Sequence, residues 1–310
     1  MSKTLHHARI TRHLSSARGH SNHGWLDTYH SFSFANWYHP DFTHFGALRV
    51  LNEDRVRPNS GFPTHPHRDF EIFSYILSGE LTHRDSTMTG GGSGKRTSTS
   101  APTSSSNRES EQEAEPESDL FCRVRRGDIQ FTTAGRGVAH SEYNHHPSET
   151  VHFLQIWAIP WKRGLAPRYA TGRFEDADKR RGFVTLLSPL RGGPDATPDQ
   201  ERAAEPTVPG TIAIHADFVM AAGIIAPDGG RFEWRIGGPG EGVTEERRRK
   251  VYVHLPMTKG GKARVRLDGR EDAVLSEGDG AFVEGVNAGD RLAVESVGEA
   301  EAEVVVLDTA

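Results

Sequence analysis

Residues 61–80 read GFPTHPHRDFEIFSYILSGE. His65 and His67 stand one residue apart, Glu71 follows four positions later, and a mostly apolar run leads to Gly79. In an extended chain, positions i and i+2 point to the same side. Pro66 keeps His65 away from the helical region, so the two imidazoles face one way. The run FEIFSYIL has the length and content of a strand buried on both faces. By itself the histidine pair reads as a surface feature, because such pairs are common on solvent-facing strands. Its weight comes from the residues around it.

Further out, SFSFANWY, HFGALRVLN and FEIFSYIL are short β-type runs separated by Gly, Pro and Asn, the pattern of an all-β sandwich or barrel. Residues 86–119 are rich in Gly, Ser and Thr and then acidic. They offer nothing to bury and are expected to be a disordered insertion. LFCRVRRGDIQFTTAGRGVAHSEYN suggests two strands joined at an Arg-Gly-Asp turn, and VHFLQIWAIP another buried strand. Residues 161–210 read as a connecting segment. A second β-series follows over 211–310, from TIAIHADFVMAAGIIA to EAEVVVLDT. The expected organisation is a first module over 1–160, a connection, and a second β-module of degenerate similarity.

His140 and Glu142 repeat the i, i+2 arrangement. On neighbouring strands the two dyads would gather three imidazoles and one carboxylate around a point. That donor set suits iron(II), manganese, nickel or copper, with zinc also possible. Four protein ligands on a six-coordinate ion leave two positions open for dioxygen or a chelating substrate. Parity leaves Glu71 open as the carboxylate, since it also shares a face with His67 if the strand runs on.

Composition narrows the classes. The chain has 310 residues, a formal charge of −5, 25% charged residues, 17 histidines and one cysteine, with a mean hydropathy of −0.59. The acidic balance argues against direct binding of nucleic acid. No apolar run is long enough to span a membrane, and the N-terminus lacks the apolar core of a secretion signal. A lone cysteine excludes an internal disulfide framework and fits a cytoplasmic setting. Cys122 reads as a core residue. The run 245–250, EERRRK, reads as a solvated loop, with a nuclear address as the alternative. Phe32, Phe34, Trp37 and Phe45 read as core aromatics, with a pocket wall as the alternative; Arg68 and Asp69 read as a pair or as the pocket rim. His215 and His254 have no ligand-like neighbours in sequence.

The punctuation around the dyads resembles that of the cupin superfamily. Gly61, His65, His67, Glu71 and Gly79 are similar to its first motif. Gly127, Gly137, His140 and Asn144 are similar to its second, with Gly135 where the motif has proline. More narrowly, HPHRDFEIFSYILSGELTHRDS, GDIQFTTAGRGVAHSE, HFLQIWAIPWKRGLAPRY and GWLDTYHSFSFANWYHPDF look like the pirin family, in its shorter bacterial-type form. The resemblance covers most of residues 20–175 and thins after 210. It implies two tandem jelly-roll cupin barrels facing each other, with one ion, usually iron, in the first and none in the second. It assigns the ligands to His65, His67, His140 and Glu142, whereas the generic cupin pattern would nominate Glu71. It implies opening of a flavonol or similar enolic or phenolic substrate by dioxygen, as in quercetin 2,3-dioxygenase, with Glu142 or Glu71 taking the proton. The alternative it carries is an iron-binding regulator that contacts transcription factors or enzymes. A monomer is expected.

Overall fold

Runs such as Phe70–Leu77 carry apolar residues at consecutive positions because both faces of their sheet are covered. In the computed structural model, which describes residues 5, 7–87, 121–239 and 247–310, the strand Glu71–Ser78 lies inside a seven-stranded sheet. Phe73, Tyr75 and Leu77 join a core shared with Leu186, Phe218, Met220 and Leu307 of the second half. Ile76 points the other way, into the first half's own interior with Leu81, Val124 and Phe153. The expected insertion lies, from residue 88 onward, outside the described residues.

Each half pairs a seven-stranded sheet with a four-stranded one. In the first half the large sheet runs Arg168–Arg173, Asp128–Thr133, Glu71–Ser78, Val151–Ala158, Leu48–Val56, Leu26–His30 and Gly19–Asn22. The small sheet facing it runs Ser60–His67, Val138–Asn144, Glu80–Asp85 and Cys122–Arg125. The second half repeats this plan. The all-β, two-module expectation is met, although each module is a pair of facing sheets and none is closed into a barrel. The two large sheets pack against each other, so the modules stand back to back on one apolar layer.

The chain crosses the expected boundaries at both ends of the first module. The strand Arg9–His13, within residues 1–160, pairs with Gly280–Asn287 of the second module. The strand Arg168–Arg173, from the expected connection, pairs with Asp128–Thr133 of the first. Val184–Pro189 then joins the second module. Each crossing covers the unpaired backbone groups of a sheet edge. Buried polar groups tie the same seam. Glu53 takes Arg18, His152 and His254 at 3.2, 2.9 and 3.1 Å, so His254 is a strand residue with a partner in the other module.

Residues 245 and 246 of the basic run lie outside the described residues, and the rest differs from its reading as a solvated loop. Arg248–His254 is a strand, and Arg249 is buried between Asp217 and Asp308 at 2.6 and 2.8 Å. An apolar sheet position can take arginine because its charge is answered on both sides.

Candidate metal centre

Ser60–His67 is the edge strand of the small sheet, where proline is tolerated because one row of N–H groups needs no partner. Its neighbour is Val138–Asn144, in antiparallel register, with His140 directly opposite His65 and Val138 opposite His67. Gly61 lets the strands approach: a Cβ there would meet the Glu142 carbonyl oxygen at 2.3 Å. Gly135 serves the loop before the second dyad, with φ +44° and the Leu165 carbonyl where a Cβ would stand.

The three imidazoles converge. Ring centroids of His65, His67 and His140 form a triangle with sides of 4.7, 4.6 and 4.7 Å. One nitrogen from each lies within 4.8 Å of the others. His65 Nε2 and His140 Nε2 are 3.1 Å apart. Two nitrogens bound at right angles to one ion, each at about 2.1 Å, would sit about 3.0 Å apart, so the spacing is that of adjacent ligands. His65 Nδ1 donates to the Pro63 carbonyl at 2.7 Å, which leaves its Nε2 lone pair free for a cation. Burial, reinforced by the neighbouring imidazoles His140 and His65, lowers the His67 pKa to about 4. Burial, with His83 and His65 alongside, lowers that of His140 to about 3. Both rings are neutral at neutral pH, the form that binds metal. The group therefore suits a divalent ion.

Glu142 is buried in the same interior, next in alternation after His140. It accepts hydrogen bonds from Gln130 Nε2, from Ser74 Oγ at 3.1 Å and from Gln155 Nε2 at 2.9 Å. Its carboxylate stands outside the group of nitrogens within 4.8 Å of one another, while its charge still reaches His67. Glu71 goes elsewhere. Residues 68–70 turn between the two sheets, with Asp69 at φ +56°, so the parity linking His67 to Glu71 lapses. Glu71 accepts from Thr133 Oγ1 at 3.1 Å and faces His215 Nδ1 of the second half at 3.4 Å. In turn His215 Nε2 reaches Glu201 at 2.8 Å.

The comparisons with known proteins agree with this architecture. The family model described as Pirin matches residues 11–99 and 120–158. A pirin-like protein of Caulobacter vibrioides is 34% identical over 241 residues, covering 74% of this chain and 88% of that one. The chain belongs to the pirin family. Among solved structures, the bacterial pirin YhhW of Escherichia coli in complex with nickel(II) matches this pirin with a TM-score of 0.67 and 29% identity. That match covers 97% of this chain and 99% of the other. A quercetin 2,3-dioxygenase of Escherichia coli strain K12 is 40% identical over 175 residues, 56% of this chain; the match spans 61% of that relative's length.

Several residues of this pirin's centre escaped the sequence reading. Ser74, Gln130 and Gln155 each stand between two apolar or aromatic strand neighbours, and a polar residue buried at such a position needs a partner; here the partner is Glu142. His83 and Asp85 form a third i, i+2 dyad beside His140. Trp157 stands against His67, with ring centroids 4.9 Å apart, and is flanked by Phe34 at 5.5 Å and Phe70 at 5.3 Å. Of the four aromatics read from sequence, Phe34 thus borders the centre, Phe32 and Phe45 join the core between modules, and Trp37 covers Gly19. Arg68 donates to the Arg136 carbonyl and Asp69 accepts from Gly164 N, so each braces a loop. Cys122 is buried in the first interior. The second module's interior is lined by Val219, Val251, Val253, Val283, Val294 and Val304.

Proposed function

We propose that this pirin is a metal-dependent dioxygenase that opens a flavonol or a similar enolic or phenolic substrate. The triangle of converging imidazoles carries the reading, since it is the donor set for an ion with open positions. His65, His67 and His140 would hold the ion, with Glu142 beside the triangle as the fourth donor, and iron(II) would stand ahead of manganese, nickel, copper or zinc. When bound, the ion acts as a Lewis acid that acidifies an enolic hydroxyl and activates the ring toward dioxygen.

The chain's own residues do the rest. Glu142 receives the hydroxyl proton on a carboxylate oxygen, and Gln130, Gln155 and Ser74 keep that carboxylate oriented. Glu71 is committed to Thr133 and His215 and takes no part in the proton transfer. Trp157, Phe34 and Phe70, with their ring planes steeply inclined to one another, offer an aromatic apolar surface beside His67 suited to packing an aromatic substrate. Substrate and one dioxygen give the ring-opened ester and carbon monoxide. Relatives named quercetin 2,3-dioxygenase and a nickel-bound pirin support the reading. The working unit is the monomer.

Oxygen uptake and carbon monoxide release by iron-loaded protein across a flavonol panel test it. Turnover is expected in the parent and lost, together with the ion, in His67→Ala. A parent that takes up iron and consumes no oxygen with any flavonol or simple enediol sinks it.

A further inference from the structure

We propose that Asp85 is the positioning residue of the metal centre: when an ion takes Nε2 of His140, Asp85 accepts the proton then carried on Nδ1 and so fixes the ring in the metal-binding tautomer. The inference rests on the metal centre proposed above and adds to it a residue outside the ligand set.

The sheet register places the pair. Val138–Asn144 lies between Ser60–His67 and Glu80–Asp85, and His140 is directly opposite His65 on one side and Asp85 on the other. Directly opposed residues share a face and are nearest cross-strand neighbours. One nitrogen of His140, one of His83 and one oxygen of Asp85 lie within 4.8 Å of one another. All three side chains are buried.

Unmet hydrogen-bonding capacity is the second observation. Among the described residues, His140 Nδ1 is buried without a partner. Asp85 Oδ1 accepts the Thr87 N–H at 2.7 Å, while among the described residues Oδ2 has contacts of 3.5 Å, with His83 Nε2 and Thr132 Oγ1. Contacts that long contribute little, and a buried carboxylate oxygen left so weakly bonded is costly. An under-used acceptor therefore stands opposite an unpartnered imidazole nitrogen.

Proton accounting connects them. With both rings singly protonated, the His65 N–H goes to the Pro63 carbonyl, and in the 3.1 Å contact His140 Nε2 is then the donor and His65 Nε2 the acceptor. With that tautomer His140 Nδ1 is a bare lone pair and has nothing to give Asp85. A ligand role requires the Nε2 lone pair, so the ring's single proton must move to Nδ1, where Asp85 Oδ2 accepts it. The ring stays neutral and no proton is lost. His83 stacks on Tyr169, with centroids 4.9 Å apart and planes at 17°, and meets the His140 ring edge-on, also with centroids 4.9 Å apart, so it walls the pair in.

Nickel(II) binding by the full chain, competed against a chelator, tests the assignment. Asp85→Asn keeps the bond from Thr87 and removes the charge. We expect one equivalent bound in parent and variant, with affinity in Asp85→Asn weaker by about 10- to 100-fold, the usual cost of losing such a partner. The melting midpoint of the stripped protein should be unchanged. Histidine 15N spectra of the parent should show His140 protonated at Nε2 when stripped and at Nδ1 when zinc-loaded, a readout that needs no variant to fold. Parent-like nickel affinity in Asp85→Asn overturns the proposal, as does a zinc-loaded His140 without a proton on Nδ1. Two equivalents in the parent and one in the variant also overturn it, and would give the His83, Asp85 and His140 trio to a second cation. A parent that binds no ion at all sinks the underlying metal centre instead.

Discussion

Glu142 shows how much one buried side chain asks of its neighbours. Three donors from three strands meet its carboxylate, and each removal leaves a buried acceptor short. Gln155→Leu keeps the volume and deletes one donor. It is expected to destabilise the protein by about 1–3 kcal/mol in chemical denaturation and to weaken nickel binding as well. A stability change with unaltered binding would separate Glu142 from the centre. The dyads were legible in sequence because a strand alternates faces over two residues, a purely local rule. The cage was not, because Ser74, Gln130 and Gln155 are each unremarkable alone and become a set only through strand register.

Among the elements, the strand Arg248–His254 departs most from its appearance. Four consecutive cations, Arg247 to Lys250, look like solvated chain, yet alternation turns Arg249 inward and leaves Arg248 exposed. Arg249 holds Asp217 and Asp308, and burial already raises the Asp308 pKa despite that guanidinium. Removing one partner of a buried pair costs about 3–5 kcal/mol, so Arg249→Met should lower stability by that order. Arg248→Met should stay within about 0.5 kcal/mol of the parent. Equal effects in thermal melts would mean that Arg249 is not the buried partner. Charge patterning alone could not reveal this, since the acids it meets lie 32 and 59 residues away in sequence.

At the scale of the molecule, two back-to-back sheets are joined by an apolar layer and by a few polar clasps. Glu71 of the first module, His215 of the second and Glu201 of the segment between them form one. Burial disfavours the charged imidazole, but the bonds to Glu71 and Glu201 outweigh it and raise the His215 pKa above its ordinary 6.5. Because the folded-state value is raised, the clasp stabilises fully below pH 6.5 and fades as pH climbs through the higher folded-state pKa. The parent's advantage over His215→Gln, read as a difference in melting midpoint, should therefore be largest near pH 6 and shrink toward pH 9. A difference that grows with pH would refute the clasp.

The sequence by itself determined what depends on neighbours in the chain. The β-rhythm, the glycine-marked turns and the two alternating dyads follow from backbone sterics and the two-residue period, which act over a few residues. Only the tertiary structure decided which groups meet. It sent Glu71 away from the imidazoles, because a turn at Asp69 moves the chain from one sheet to the other. It placed Arg9–His13 on the far module, and it set Asp85 opposite His140. These outcomes rest on sheet register and on the burial of one large sheet against another. Both are summed over many distant contacts, so no short stretch of residues carries them.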